Sequence, residues 1–269
     1  MTDALDLSVI ALMRQVARDV IMPRYRNLKA GEVVEKTAND FVTIADRESE
    51  EALAAGLTAI EPVAVVGEEA AYADPTVFDR LVNPCWIVDP IDGTANFARG
   101  EGPFGIMIAL AEGGLVQRGW ILHPQTDRLY HARRGGGAFL DGVQVAVEMG
   151  GHNPPILSMA TGYMSEAQRE IVAQAITPHY NSVPPPMCAA AQYPMVAEGV
   201  HDLAVFQRTL PWDHAAGCLF LNEAGGVCQR IDGSEYRVDS KTKGMIAAAD
   251  HRVWDGLAER FAATDFLAA

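Results

Sequence analysis

An apolar run that ends in two aspartates constrains this chain more than any other feature. The apolar residues 86–88 lead straight into residues 89–94, with the sequence DPIDGT. This pattern predicts a buried strand that turns sharply and presents Asp89 and Asp92 at a sheet edge, where open α/β sheets bind ligands. Gly93 and Thr94 would open the next segment, with backbone N–H groups free to meet an anion.

The two aspartates need a nearby positive charge. Two carboxylates at about 4 Å repel each other by about 4 kcal/mol at an effective dielectric of about 20. Residues 81–98 contain no Lys or Arg. A hard divalent cation with oxygen ligands would supply the charge. The alternative is structural, because Asp and Gly are also ordinary residues of turns that follow strands.

Three further segments carry acids at similar places. Glu68 and Glu69 follow the apolar residues 63–66, although a solvated acidic turn would look the same. Asp213 lies in residues 211–217 (PWDHAAG), where Pro starts a helix and the helix dipole favours an acid in the first turn. Asp46 also fits the last position of a capping box that begins three residues earlier, which is a purely structural role.

Composition excludes several classes of function. Lys and Arg total 21 against 35 Asp and Glu, so the formal charge of −14 argues against a dedicated nucleic-acid binder. A small phosphate substrate remains compatible with this charge, because a metal can supply positive charge. The four cysteines form no CxxC pair and no zinc spacing, so we expect reduced thiols in a cytoplasmic protein. We expect no signal peptide and no membrane span.

The pattern of apolar residues predicts a mixed α and β chain with helix-covered sheets. Helices are predicted from about residue 10 to Pro23 and over 46–60, 165–176, 189–198, 211–224 and from about 250 onward. Strands are predicted over 63–66, 85–88, 156–160 and 203–206, with an antiparallel meander over 104–140. The segment 150–155 is the best candidate boundary between two lobes, 1–150 and 151–269.

Taken together, these segments resemble the inositol monophosphatase family of metal-dependent sugar-phosphate phosphatases. The matching segments are 86–96 (WIVDPIDGTAN), 212–217 (WDHAAG), 223–226 (EAGG), 67–69 (GEE), 40–46 (DFVTIAD) and 135–139 (GGGAF). The resemblance implies an α+β fold, a layered α-β-α-β-α sandwich, in a homodimer. It also implies two or three Mg²⁺ ions, inhibition by Li⁺, and a small phosphorylated sugar, polyol or nucleotide as substrate. The charge and the short apolar runs predict no nucleic-acid or membrane partner.

The resemblance also implies a role for individual residues. The ligands of the first metal would be Glu68, Asp89 and the carbonyl of Ile91, and those of the second would be Asp89, Asp92 and Asp213. Asp46 would touch a third, weaker ion or its waters. Glu68, Thr94 and Asp92 would be the catalytic residues, with Thr94 and Glu68 positioning the attacking water. Substrate contacts would come from the amides of Gly93 and Thr94, and from Ala189 and Asp213.

Two departures from the family pattern put myo-inositol phosphate in question. A Gly-Ser/Thr-Ala-Ala segment that contacts substrate hydroxyls is replaced by residues 186–190 (PMCAA), and a Glu that holds ring hydroxyls is replaced by Phe206. Arg208 suggests the hypothesis that it binds a second anionic group of the substrate, against the alternative of a solvated surface side chain. His214 is expected to be a packing or rim residue, and Lys36 either supports the site electrostatically or lies on an exposed turn.

Several functions remain open from sequence. Fructose 1,6-bisphosphate, histidinol phosphate and a 3′-phosphonucleotide are alternative substrates. A haloacid-dehalogenase-type phosphatase is a rival because residues 92–94 (DGT) match the end of its D-x-D-G-T motif, but two residues rather than one separate Asp89 from Asp92. A regulatory protein that keeps the fold without catalysis is the rival from another class.

Overall fold

The computed structural model describes residues 3–29, 31–37 and 40–269, and it shows helices and strands that alternate along most of the chain. The helices are α1 Ala4–Val16, α2 Ile44–Ile60, α3 Glu68–Ala73, α4 Thr94–Arg99, α5 Glu166–Ile171, α6 Ala189–Ala197, α7 Pro211–Glu223 and α8 His251–Ala262. Helices α1 and α5 each continue as one wider turn, over Ala17–Ile21 and Val172–Ile176, and 3-10 turns occupy Pro75–Val82 and Thr177–His179.

The strands form two large sheets and a hairpin. Their bounds are β1 Val33–Thr37, β2 Asp40–Thr43, β3 Ala64–Gly67, β4 Cys85–Asp92, β5 Gly105–Glu112, β6 Leu115–His123, β7 Arg128–Arg133, β8 Gly137–Leu140, β9 Val143–Val145, β10 Ile156–Met159, β11 Asn181–Val183, β12 Leu203–Phe206, β13 Val227–Arg230 and β14 Met245–Ala248. The larger sheet has the order β3-β4-β5-β6-β7-β8-β9 and the smaller has β11-β10-β12-β14-β13. Among the residues that the structure describes, strands β1 and β2 pair only with each other.

Five layers follow from the period-two alternation of the strands. In β4, Trp86 and Val88 pack with the side chains of α1 and α2, whereas Cys85 and Ile87 point to the opposite face, toward α6 and α7. Helices α6 and α7 also pack against the smaller sheet, whose outer face is covered by α5 and α8. The fold is therefore the α-β-α-β-α sandwich that the resemblance implies.

The predicted elements are largely present, with differences at their ends. Helix α2 begins at Ile44 because Thr43 and Asp46 form the predicted capping box. The meander over 104–140 is the antiparallel run β5 to β8. Strands β13 and β14 and the hairpin β1-β2 were not predicted. The proposed lobe boundary falls between β9 and β10, and the division into two lobes stays a prediction. In the described part of the chain no helix is both long and apolar enough to cross a membrane.

Candidate metal centre

A bulge at the end of β4 brings the two aspartates of the DPIDGT segment to one side. Residues three apart in a regular strand point to opposite faces. Here Asp89 pairs with Met107 and Asp92 with Gly105, so three steps on β4 oppose two on β5. The extra residue of this bulge cancels the alternation of faces, so that both carboxylates point to the same side of the sheet. Pro90 is tolerated inside the sheet because a bulge needs no ladder hydrogen bond at that point.

The acids from three elements meet at this edge. Carboxylate oxygens of Asp89, Asp92 and Asp213 all lie within 4.8 Å of one another. Glu68 follows β3, which runs parallel to β4 with Gly67 beside Val88, so the two strands end at the same edge. Glu68 lines the same cavity, of about 170 Å³, as the three aspartates. The start of α3, the end of β4 and the first turn of α7 therefore supply one group of four acids.

Burial and mutual repulsion perturb the acids of β4. Asp89 is 1% exposed, and its carboxylate accepts a hydrogen bond of 3.0 Å from the backbone N–H of Ile91. Desolvation raises the pKa of Asp89 well above its ordinary value, and the charges of Glu68, Asp92 and Asp213 raise it further. A cation placed among these groups would offset their mutual repulsion and favour the ionised carboxylates.

Asp92 is held by the N-terminus of α6. Its Oδ2 accepts hydrogen bonds from the backbone N–H of Ala190 at 2.6 Å and from the Cys188 thiol at 3.0 Å. Desolvation nevertheless raises the pKa of Asp92 to about 6, and these hydrogen bonds limit the rise. The start of α6 thus fixes a carboxylate that β4 of the larger sheet supplies.

Glu68 is placed by a carboxylate on the neighbouring helix. Glu50, which is 7% exposed on α2, accepts hydrogen bonds of 2.8 Å from the backbone N–H groups of Glu69 and Ala70. It thereby satisfies the first free N–H groups of α3, the helix that Glu68 begins. Gly67 is needed for this contact, because a Cβ there would lie 2.3 Å from the Glu50 carboxyl carbon.

Thr94 and Asp46 are joined by hydrogen bonds behind the cavity. The Thr94 hydroxyl lies 2.9 Å from the carbonyl oxygen of Ile91 and 3.1 Å from Asp46 Oδ1. Asp46 Oδ2 accepts from both the N–H and the hydroxyl of Thr43. Asp46 is fully buried, desolvation raises its pKa to about 7, and it does not line the cavity.

Asp213 lies in the first turn of α7, with His214 and Arg208 beside it. His214 is 2% exposed and burial lowers its pKa to about 3, so its imidazole is neutral. Its Nε2 lies 3.0 Å from the carbonyl oxygen of Arg208 and its Nδ1 lies 3.0 Å from the Tyr193 hydroxyl. Arg208 Nη2 is 3.8 Å from Asp213 Oδ2. His214 therefore anchors the start of α7 from the interior.

The donor set fits a hard divalent cation. The group offers only oxygen atoms, and carboxylates are what Mg²⁺ binds in preference to nitrogen or sulfur. Burial raises the pKa of both Asp89 and Asp92, and for Asp89 the charges of the neighbouring carboxylates raise it further. This set of carboxylate oxygens is therefore suited to Mg²⁺.

Most of the residues assigned by resemblance meet in one place. The cavity is lined by Glu68, Asp89, Ile91, Asp92, Gly93, Thr94, Ala189 and Asp213. Asp46 is set apart, in the capping position. The side chains of Lys36 and Asp40 lie outside the described part of the chain.

Sequence reasoning missed three groups that support the site: Glu50, the Cys188 thiol and the Ala190 amide. Glu50 had a detectable signal, because it falls on the same helical stripe as Leu53 and Leu57, where a charged residue is unusual. Cys188 and Ala190 had no such signal, because their link to Asp92 spans almost a hundred residues.

Comparison with known proteins gives a consistent assignment. The model of the inositol monophosphatase family matches residues 5–264. Inositol-1-monophosphatase of Bacillus subtilis is 32% identical over 208 residues, 74% of this chain and 75% of that protein. Fructose-1,6-bisphosphatase/inositol-1-monophosphatase of Aquifex aeolicus is 29% identical, covering 91% of this chain and 92% of that protein. The crystal structure of extragenic suppressor protein suhB from Bartonella henselae superimposes with a TM-score of 0.80 at 25% identity, covering 96% and 98% of the two chains.

Proposed function

The chain belongs to the inositol monophosphatase family, and on that premise we propose that it is a Mg²⁺-dependent phosphomonoester hydrolase acting on a small phosphorylated sugar, polyol or nucleotide. The observation that carries the proposal is the group of Asp89 and Asp92 from β4 and Asp213 from α7, whose carboxylate oxygens lie within 4.8 Å of one another. The dehalogenase-type alternative is wrong, because the family model that spans the chain is a different one.

The proposal assigns each acid a task. Glu68, Asp89 and the carbonyl oxygen of Ile91 would hold one ion, and Asp89, Asp92 and Asp213 would hold a second. When bound, Mg²⁺ lowers the pKa of a water molecule and stabilises negative charge on phosphate oxygens. Asp46 lies too deep to be a direct ligand, so its proposed task is to hold Thr94 in place, and a third ion would reach it only through water.

The chain's own groups then orient the reactants. The Thr94 hydroxyl, tied to Asp46 and to the Ile91 carbonyl, and the Glu68 carboxylate position the attacking water, and the Glu68 carboxylate accepts its proton. The backbone N–H groups of Gly93 and Thr94 hold the phosphate for in-line attack. Ala189 and Asp213 border the remainder of the substrate.

Phosphate release from a panel of sugar, polyol and nucleotide monophosphates tests the proposal. We expect release that requires Mg²⁺, falls on addition of Li⁺, and is lost in Asp213→Asn. Asp79→Asn, which changes an exposed acid outside the cavity, is the matched control and should retain activity. Release from no member of the panel would refute the proposal and favour a regulatory, non-catalytic role.

Assembly and location remain proposals. We propose a homodimer, as the resemblance implies, in the cytoplasm, as the cysteine pattern indicates. Sedimentation equilibrium tests the first point, with a mass near twice the 29.0 kDa chain expected. A monomer at all accessible concentrations would refute it.

A further inference from the structure

One wall of the cavity beside the acids offers a polyol few hydrogen-bond partners. Phe206, Met187, Cys188 and Ala189 occupy its wall, and the Cys188 thiol is directed to Asp92. The Phe206 ring is held against the rings of Tyr193 at 5.3 Å and His214 at 4.7 Å, so it does not swing aside cheaply. A hydroxyl buried against such a surface without a partner costs about 1–3 kcal/mol. A polyol hydroxyl therefore gains little from this wall, and selectivity must come from other groups in the cavity.

Arg208 is the one Lys or Arg among the described residues that line this cavity. Its guanidinium carbon lies 4.3 Å from the centre of the Tyr163 ring, and Nη2 lies 3.8 Å from Asp213 Oδ2. Its backbone carbonyl faces His214 Nε2 at 3.0 Å. The side chain is thus fixed at its base and supported along its plane, while 37% of it remains exposed to a ligand.

The Arg208 guanidinium is better placed to bind an anionic ligand than to form a hydrogen-bonded ion pair with Asp213. A separation of 3.8 Å exceeds hydrogen-bond length, so Arg208 and Asp213 attract each other only electrostatically. A divalent cation on Asp213 would compensate that carboxylate and weaken its hold on the guanidinium. A guanidinium already stacked on a ring loses little conformational entropy when it binds an oxyanion through two parallel N–H groups.

We propose that Arg208, supported by Tyr163, is a specificity-determining residue that selects phosphomonoesters with a second anionic group, a phosphate or a carboxylate, at the end remote from the reacting phosphate. The proposal rests on the hydrolase function proposed above and names its substrate class. Arg208 attracts the second anion at the cavity, where the acids would otherwise repel it.

Matched substrate pairs test the inference. Glycerol 3-phosphate against 3-phosphoglycerate tests a carboxylate, and adenosine 3′-phosphate against adenosine 3′,5′-bisphosphate tests a phosphate. We expect the wild-type kcat/KM to favour the second member of at least one pair by about tenfold or more. The pair that shows the preference identifies the kind of anion.

Variants assign the preference to the side chain. Arg208→Gln should lower kcat/KM for the doubly anionic member about tenfold more than for its partner, and Arg208→Lys should restore part of the difference. Arg14→Gln is the control, since it removes a cation of similar exposure, 42%, that lies outside the cavity. Isothermal titration in EDTA supplies a readout without turnover: the Kd ratio within the preferred pair should collapse in Arg208→Gln.

Two results would overturn the inference while leaving the proposed function intact. The first is hydrolysis with equal kcat/KM for both members of each pair. The second is an equal loss for both members in Arg208→Gln with an altered Mg²⁺ requirement, which would make Arg208 a positioning residue for Asp213. Absence of hydrolysis from all members would refute the proposed function itself, and this inference with it.

Discussion

The Asp92 carboxylate accepts a hydrogen bond of 2.6 Å from the backbone N–H of Ala190, 98 positions away in the chain. Asp92 ends a strand of the larger sheet, and Ala190 lies in the first turn of α6, the helix between the two sheets. The negative charge is stabilised by the positive end of the helix. The geometry of the candidate metal centre therefore depends on how the layers of the sandwich pack.

Replacing Asp92 by Asn separates the metal role from the packing role. Asp92→Asn removes a charged ligand but leaves an oxygen that can accept from the Ala190 N–H. We expect activity to fall by roughly 10³-fold or more, while circular dichroism and the cooperative melt persist. Undiminished turnover would contradict the assignment of Asp92 to the metal.

Glu50 should act on the metal without touching it. Glu50→Gln weakens the hydrogen bonds to the Glu69 and Ala70 amides and loosens α3, which carries Glu68. We expect Mg²⁺ affinity, measured by titration calorimetry, to drop by about 10- to 100-fold, the range typical of groups that orient ligands. Glu51→Gln, on the exposed neighbour, should leave the affinity unchanged. Equal affinities in both variants would show that Glu50 has no influence on the site.

Gly93 has both a backbone and a steric requirement. Its φ is +85°, and a Cβ would lie 3.0 Å from the Pro103 carbonyl oxygen and 3.2 Å from the Cys188 Cβ. Gly142 has a similar φ of +80° with no heavy atom within 4 Å of such a Cβ, so it is a matched control.

For Gly142→Ala we expect a loss of about 1–2 kcal/mol in the free energy of unfolding, from backbone strain alone. Gly93→Ala should cost more and also reduce activity, because Cys188 and Asp92 must shift. Urea denaturation measures both variants. An equal loss of unfolding free energy in the two variants would mean that the contacts with Pro103 and Cys188 do not exclude a Cβ at position 93.

The buried acids predict a pH-dependent response to metal. Burial raises the pKa of Asp92 to about 6 and raises that of Asp89 as well. A carboxyl with a raised folded-state pKa holds extra protons in the folded protein, so its contribution to stability is present below pH of about 4 and lost as pH rises through the folded value.

Metal binding requires ionised carboxylates and releases their protons. The rise in Tm on adding Mg²⁺ should therefore be larger near pH 7.5 than near pH 5.5, because protons compete with the ion at the lower pH. Differential scanning fluorimetry in EDTA and in Mg²⁺ measures this rise in Tm at each pH. In Asp92→Asn the pH difference should shrink. A wild-type response to Mg²⁺ that is the same at both pH values would contradict this account.

The sequence predicted which acids lie at the ends of strands and helices, but not how the fold orients them. Asp89 and Asp92 at a strand terminus and Asp213 in a first helical turn follow from local rules of strands and helices. The bulge that turns both β4 aspartates to one side does not follow from them, because it depends on the register with β5.

Asp46 has the capping role that the sequence also allowed. Its capping hydrogen bonds with Thr43 consume one oxygen, and full burial removes it from the cavity. Strands β13 (VCQR) and β14 (MIAA) were not predicted, because β13 ends in two polar residues and half of β14 is Ala, which is depleted in strands.

Anomalous diffraction from crystals soaked in Mn²⁺, a stand-in for Mg²⁺ with a measurable signal, tests the central claim most directly. We expect one or more peaks bounded by the carboxylates of Glu68, Asp89, Asp92 and Asp213. The peak bounded by Asp92 should be absent in Asp92→Asn. A wild-type map without a peak at these carboxylates, in crystals where the cavity is open to solvent, would contradict the claim that they form a metal centre.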